Sequence, residues 1–269
     1  MVTVDDIKKM SYVDFMALLE ETNRPPGGKE SIRKLIQNTF LTENSKVLDI
    51  GCNTGYCSFE IAHIVNCQVV GIDINKSMIE AANRQLKKDL TKYQKLIRFL
   101  VADAMNLPFR TEEFDLVFSG GSTAFIENKT RALREYKRVC KKWGFIGDIN
   151  FYYHTSPPTK LIEKLNKVMG VNIKPWNKDY WVRLYRSVGL EEYFIFGRNN
   201  LHKVSPLKVK EYCQYMAEKK KWNKEIKTAI YKKLVPIMNL FNENHRYLAY
   251  GIFIYRKRVY EEERPLFAA

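Results

Sequence analysis

Apolar residues fall along this chain in two alternating rhythms. Short, nearly continuous apolar runs at 47–50, 68–73, 97–103, 116–121 and 145–151 read as buried strands. Between them, 58–64, 77–86 and 128–140 space their apolar residues as amphipathic helices do. Strands alternating with helices predict an α/β fold with a parallel sheet. Segments 193–196 and 247–255 read as two further strands. Upstream, residues 1–20 read as two short helical pieces with an apolar face of Tyr12, Phe15, Met16, Leu18 and Leu19. The loop Asn23-Arg-Pro-Pro-Gly-Gly28 follows, then a helix from Lys29 through Phe40. The helix over 128–140 is expected to stop at Lys141-Lys-Trp-Gly144, a basic end followed by glycine. A helical stretch to Met169 and an aromatic helix before Gly189 precede the sixth strand. Between Asn199 and Arg246 the chain is lysine-rich and helical, with Tyr212, Tyr215, Met216, Trp222, Ile226, Ile230 and Leu234 at near-helical spacing.

The candidate chemistry centres on Lys46-Val-Leu-Asp-Ile-Gly-Cys-Asn-Thr-Gly-Tyr-Cys57. A strand, a glycine turn and a helix start let a ligand lie against bare backbone at the carboxyl ends of the strands. Counted from Gly51, the dinucleotide pattern G-x-G-x-x-G needs glycines where Asn53 and Tyr56 stand, so an NAD or FAD fingerprint fails. Asp49, just before the turn, would repel a pyrophosphate and suits the cationic amino acid end of S-adenosylmethionine (SAM). The stretch resembles the first motif of class I SAM-dependent methyltransferases, an acidic residue followed by G-x-G-x-G. Asn53 replaces the middle glycine, and asparagine tolerates the left-handed backbone such a turn needs. Asp73 lies about 20 residues past the turn, where nucleotide-binding α/β units hold ribose hydroxyls. Asp103 ends a third strand, and Leu107-Pro-Phe109 with Phe114-Asp-Leu-Val-Phe-Ser119 resembles the family's fourth motif region.

The resemblance covers residues 45–150 well and the rest in outline. It implies a three-layer, doubly wound α/β fold with a seven-stranded, mostly parallel sheet whose last strand is antiparallel. N-terminal helices (1–40) would close over a SAM-binding core (41–199 and 247–258), and a helical insert or lid (200–246) would precede the last strand. Strand six is expected to be parallel to its neighbours, so that the insert leaves from the active-site edge. The resemblance places Asp49, Gly51, Asn53 and Gly55 at the methionine end of SAM, with Cys52 and Tyr56 in the same turn. It places Asp73 at the ribose, Asp103 and Ala104 at the adenine, and Ser119 and Gly120 in the cleft below the methyl group, with Ile74 a further cofactor contact. The product would be S-adenosylhomocysteine (SAH).

Methyl transfer from a sulfonium is an in-line displacement in which the cofactor supplies its own leaving group, so the protein aligns, excludes water and at most removes a proton. His154, just beyond the fifth strand with Tyr153 beside it, is the candidate base. Arg24 on the stiff loop, the aromatics Tyr180, Trp181 and Trp222, and His245 are the candidate acceptor contacts.

Composition narrows the acceptor. The 269 residues carry a net charge of +15, which raises nucleic acid as a partner. Yet the Asn/Asp-Pro-Pro-Tyr/Phe motif of amino-methylating nucleic acid enzymes is replaced by Ser119-Gly-Gly-Ser-Thr-Ala124, and Cys140 lacks the Pro-Cys or Thr-Cys setting of a nucleophile. The lysines of 203–233 are interleaved with Glu211, Glu218 and Glu225, as on a solvated face. A small-molecule acceptor is therefore the expectation. An RNA methyltransferase using the basic insert, or a non-catalytic SAM-fold partner protein, is the alternative. Five cysteines without C-x-x-C spacing argue for reduced thiols and against a zinc site. No apolar run is long enough to span a membrane and no signal pattern opens the chain, so a cytoplasmic protein is expected.

Overall fold

Strand β1 (Lys46–Ile50) is apolar on both faces because it is covered on both, as parallel strands are. The computed structural model describes residues 2–89 and 93–259, so that Met1 of the expected N-terminal segment lies outside it. β1 pairs in parallel with β2 (Gln68–Asp73) and β4 (Phe114–Ser119), and β3 (Ile97–Val101) continues the parallel set beyond β2. On the other side β5 (Cys140–Tyr153) is parallel to β4, and β7 (Leu248–Arg256) is inserted antiparallel between β5 and β6 (Glu191–Asn200). The seven-stranded order is β3-β2-β1-β4-β5-β7-β6.

One face of the sheet buries Ile32 and Leu35 of α3 (Gly28–Gln37), Ile61 and Ala62 of α4 (Tyr56–Val65), and Ala82 of α5 (Lys76–Asp89). The other buries Leu133 and Tyr136 of α6 (Lys129–Val139) and Trp181 and Tyr185 of α8 (Lys178–Ser187). Each fully buried leucine or isoleucine among these contributes roughly 1.5–3 kcal/mol. A separate core joins α1 (Val4–Lys9) and α2 (Tyr12–Leu19) to α9 (Pro206–Glu218) and α10 (Lys224–Asn244), through Ile7, Phe15, Met216, Ile230 and Leu234. α7 (Thr159–Met169) packs on Tyr153 and Leu248 at the ends of β5 and β7.

Three expectations are corrected. Among the described residues β6 pairs with β7 alone, and antiparallel; β6 nevertheless runs with β5, so its end at Asn200 reaches the same edge as Tyr153. Lys141–Gly144 is no helix stop. β5 begins at Cys140 itself, and the left-handed residue is Trp143 (φ 61) rather than Gly144, where a Cβ would meet Cys140 Sγ at 2.8 Å. The helix expected from Lys29 through Phe40 ends at Gln37, where the hydroxyl of Thr39 and the amide of Asn38 take its last carbonyls. Among the described residues no helix is long and apolar enough to cross a membrane, and the five cysteines are free and buried.

Candidate functional site

The turn after β1 takes a left-handed backbone three times, at Gly51 (φ 63), Asn53 (φ 50) and Gly55 (φ 92). Asn53 holds the middle position by donating from its side chain to the Gly51 carbonyl at 2.9 Å, a local bond that glycine cannot make. At Gly51 a Cβ would lie 2.3 Å from Cβ of Ser122, whose hydroxyl donates to the Ile50 carbonyl at 2.5 Å. The turn is thus closed against the loop that follows β4.

Asp73, at the end of β2, accepts the Asn53 N–H at 3.0 Å on one oxygen and the Asn75 N–H at 2.9 Å on the other. Burial raises its pKa, and these backbone donors act against that shift. A carboxylate has about four acceptor sites, so capacity remains for further donors. Next to it Ile74 is 69% exposed, a large apolar side chain left mostly uncovered by the protein. Asp103 follows β3 half-buried, accepting the Met105 N–H at 2.8 Å, with Ala104 half-buried beside it. Acids thus end or follow three adjacent strands at one edge of the sheet.

Asp49 departs from its expected role. It is 1% exposed and accepts the Ser58 hydroxyl at 2.6 Å together with the Ser58 backbone N–H, at the first turn of α4. Burial pushes its pKa up to about 7. Its carboxyl group therefore ties β1 to α4 beneath the turn and does not stand open to a ligand. The thiol of Cys52 is buried as well, leaving only its backbone in the turn. Ser119 is likewise buried, accepting from the N–H and hydroxyl of Thr123.

Residues 21–28 lie across this edge as a strap. The Thr54 hydroxyl donates to the Glu21 carbonyl at 2.7 Å, and Asn23 donates to the Asn53 side chain at 3.4 Å. Cβ atoms built on Gly120 and Gly121 would stand 3.5 Å from Pro25 and 3.8 Å from Pro26, in ordinary contact, so the strap lies directly on this loop. The guanidinium of exposed Arg24 sits 5.7 Å from the Tyr56 ring centroid, over the start of α4. Asp14 of α2 accepts from Asn75 at 3.2 Å, and the Tyr212 hydroxyl of α9 donates to Glu21 at 2.5 Å. Sequence reasoning singled out none of Asn23, Asn75, Ser122 or Glu21, because the contacts that bring each of them to this site cross a long sequence separation.

The candidates for the acceptor side are scattered. The Tyr153 hydroxyl is buried against the Asn244 side-chain amide, at 3.3 Å from its oxygen and 3.2 Å from its nitrogen. His154 is exposed, with Nδ1 at 2.9 Å from the Thr155 hydroxyl. Trp181 is 1% exposed in the core under β5 and β7 and offers no cage wall. Tyr180 stacks on Trp176 at 5.1 Å near the end of β5. Trp222 packs with the N-terminal helices and α10, and His245 is half-buried with its pKa lowered by that burial. The structure therefore gathers the cofactor candidates at one edge and does not gather Trp181 and Trp222 with them. Two functional candidates went unnoticed, Asp148 and Asn150 of β5, both 1% exposed. A polar residue at alternate positions of an otherwise apolar strand was the available signal.

Residues 48–147 match the family model described as a methyltransferase domain. An uncharacterized protein of Haemophilus influenzae is 29% identical over 186 residues, covering 68% of this chain and 73% of that one. A demethylmenaquinone methyltransferase of Staphylococcus saprophyticus is 30% identical over 135 residues, and that match covers 49% of this chain and 56% of the relative. Among solved structures, the MccD protein superposes with TM-score 0.74 at 27% identity, over 88% of this chain and 100% of that one. Phosphoethanolamine N-methyltransferase 2 of Haemonchus contortus, solved with S-adenosyl-L-methionine, shares the fold at TM-score 0.70 and 18% identity, over 96% of this chain and 61% of that one.

Proposed function

We propose that this chain, whose residues 48–147 match a methyltransferase domain and lie on a seven-stranded, mostly parallel sheet, is a class I SAM-dependent methyltransferase acting on a small-molecule acceptor. One observation carries the reading: the acids Asp73 and Asp103, at the ends of the next two strands, stand in order beside a left-handed turn, with the exposed Ile74 between them in sequence. Asp73 accepts from the ribose hydroxyls, Asp103 from the adenine amino group, and Ile74 and Ala104 offer the ring apolar surface. The backbone of 51–55 and the first turn of α4 receive the carboxylate of the amino acid end, with Arg24 above them. Asp49 shapes the turn from below. Bound SAM supplies an electrophilic methyl group and a neutral thioether leaving group. The chain's own residues align the acceptor and keep water out, the strap at 21–28 and the α9–α10 insert acting as the closing elements.

Calorimetric titration with SAM tests the cofactor. Asp73→Ala is expected to weaken binding by about 1–3 kcal/mol, the scale of losing hydrogen bonds to a charged group. Unchanged affinity in that variant would remove the ribose assignment, and no SAM binding by the natural protein would overturn the reading as a whole.

A further inference from the structure

β5 is apolar along its buried length except at Asp148 and Asn150, which share the face covered by α6 and α8. Tyr185 of α8 donates to Oδ2 of Asp148 at 2.5 Å, and Nδ2 of Asn150 donates to the same oxygen at 3.3 Å. The Asn150 amide is therefore oriented: turned over, it would set its oxygen against a carboxylate oxygen. Its Oδ1 meets no protein donor among the described residues, although Asn150 is 1% exposed. A buried acceptor left unpaired is costly, so one in a native core calls for a donor.

The place of that oxygen indicates the donor's origin. Oδ1 lies 3.9 Å from where a Cβ on Gly121 would stand, and Pro26 of the strap lies 3.8 Å from the same point. Gly121 precedes Ser122, the residue packed on Gly51. The unpaired oxygen is thus beside the loop that closes the glycine turn, under the strap, and not deep between the layers.

We propose that Asn150 is a specificity-determining residue whose Oδ1, oriented by Asp148, accepts a hydrogen bond from an amine or hydroxyl group of the methyl acceptor. This assignment rests on the methyltransferase reading above. Asp148 acts through Asn150 and is a positioning residue. A site built to bind such a donor rejects analogues lacking it, because binding them leaves the buried oxygen unpaired.

The test uses the full chain saturated with SAH and simple probes whose binding is followed by ligand-observed NMR. Benzylamine is compared with benzyltrimethylammonium, and benzyl alcohol with benzyl methyl ether. The donor-bearing member of at least one pair is expected to bind about tenfold more tightly, and the pair that discriminates identifies amine or alcohol. Asn150→Leu, of similar volume, is expected to erase the difference with SAH affinity retained. Asn150→Asp is expected to shift preference toward benzylamine, which a merely structural role would not do. Equal binding within both pairs by the natural protein overturns the proposal whether or not the variants fold, as does discrimination that survives in Asn150→Leu. Failure of the natural protein to bind SAH would overturn the methyltransferase reading instead. The probe comparison, repeated without SAH, would still decide the role of Asn150.

Discussion

Asp49 and Asp148 are carboxyl groups held inside the sheet, and burial lifts their pKa values from 3.8 to about 7 and about 6 respectively. The folded protein therefore keeps protons that the unfolded chain releases once the pH passes 3.8. Their contribution favours the fold at the acid end of this window and is lost as the pH rises through the folded values. Asp49→Asn, which cannot ionise, is expected to gain stability relative to the natural protein between about pH 5 and about pH 8, by roughly 1–3 kcal/mol. Urea unfolding of both proteins at the two pH values measures it, and parallel curves would mean that Asp49 titrates normally. The same burial explains why Asp49 deceived a reading by residue type. An acid at a strand end looks like a ligand contact, and only the three-dimensional partner, Ser58, shows that it is turned inward.

Among the elements, α10 and the link that follows α9 put part of their basic character to structural use. Lys233 of α10 donates to the carbonyls of Ile7 and Met10, both at 2.6 Å, at the end of α1. Lys220 donates to Leu18 at 2.8 Å and Lys219 to Glu20 at 2.6 Å, at the end of α2. These ammonium groups satisfy carbonyls that a helix end leaves orphaned, at the negative end of its dipole. Lys233→Met is expected to destabilise the docking of α1 by about 1–3 kcal/mol. Hydrogen exchange should then rise in α1 and leave the sheet unchanged; protection unchanged in α1 would show that apolar packing alone holds it. Part of the +15 charge is thereby committed inside the molecule. The lysine spacing disclosed helices, but which carbonyls the lysines reach was not legible, since the partners lie some 200 residues away.

For the whole molecule, a bond from Tyr212 of α9 to Glu21 joins the insert to the strap, directly before the residues that cover the glycine turn. If these elements close over the ligand, loosening that bond should act on exchange more than on stability. Tyr212→Phe is expected to speed SAM release several-fold while lowering global stability by no more than about 1.5 kcal/mol. Stopped-flow displacement and thermal unfolding report the two quantities, and an unaltered release rate would exclude the latch.

The alternation of apolar runs and helical spacing determined the layered α/β architecture by itself, because strand and helix periods are local properties of the chain. The glycine turn with Asn53 was equally legible, since only a few residue types accept its backbone angles. Strand-end position made Asp73 and Asp103 visible as candidates for the same reason: the acid interrupts an apolar run where a buried strand must stop. What only the tertiary structure decided is pairing across distance. β7 enters between β5 and β6, Ser122 rather than open space meets Gly51, and the strap seats its prolines on Gly120 and Gly121. Trp181 sits in the core while Ile74 stands exposed, although both are large apolar residues in the sequence. Sequence patterns fix the angles and faces of single elements, whereas inward or outward, free or paired, depends on groups that meet only after the chain has folded.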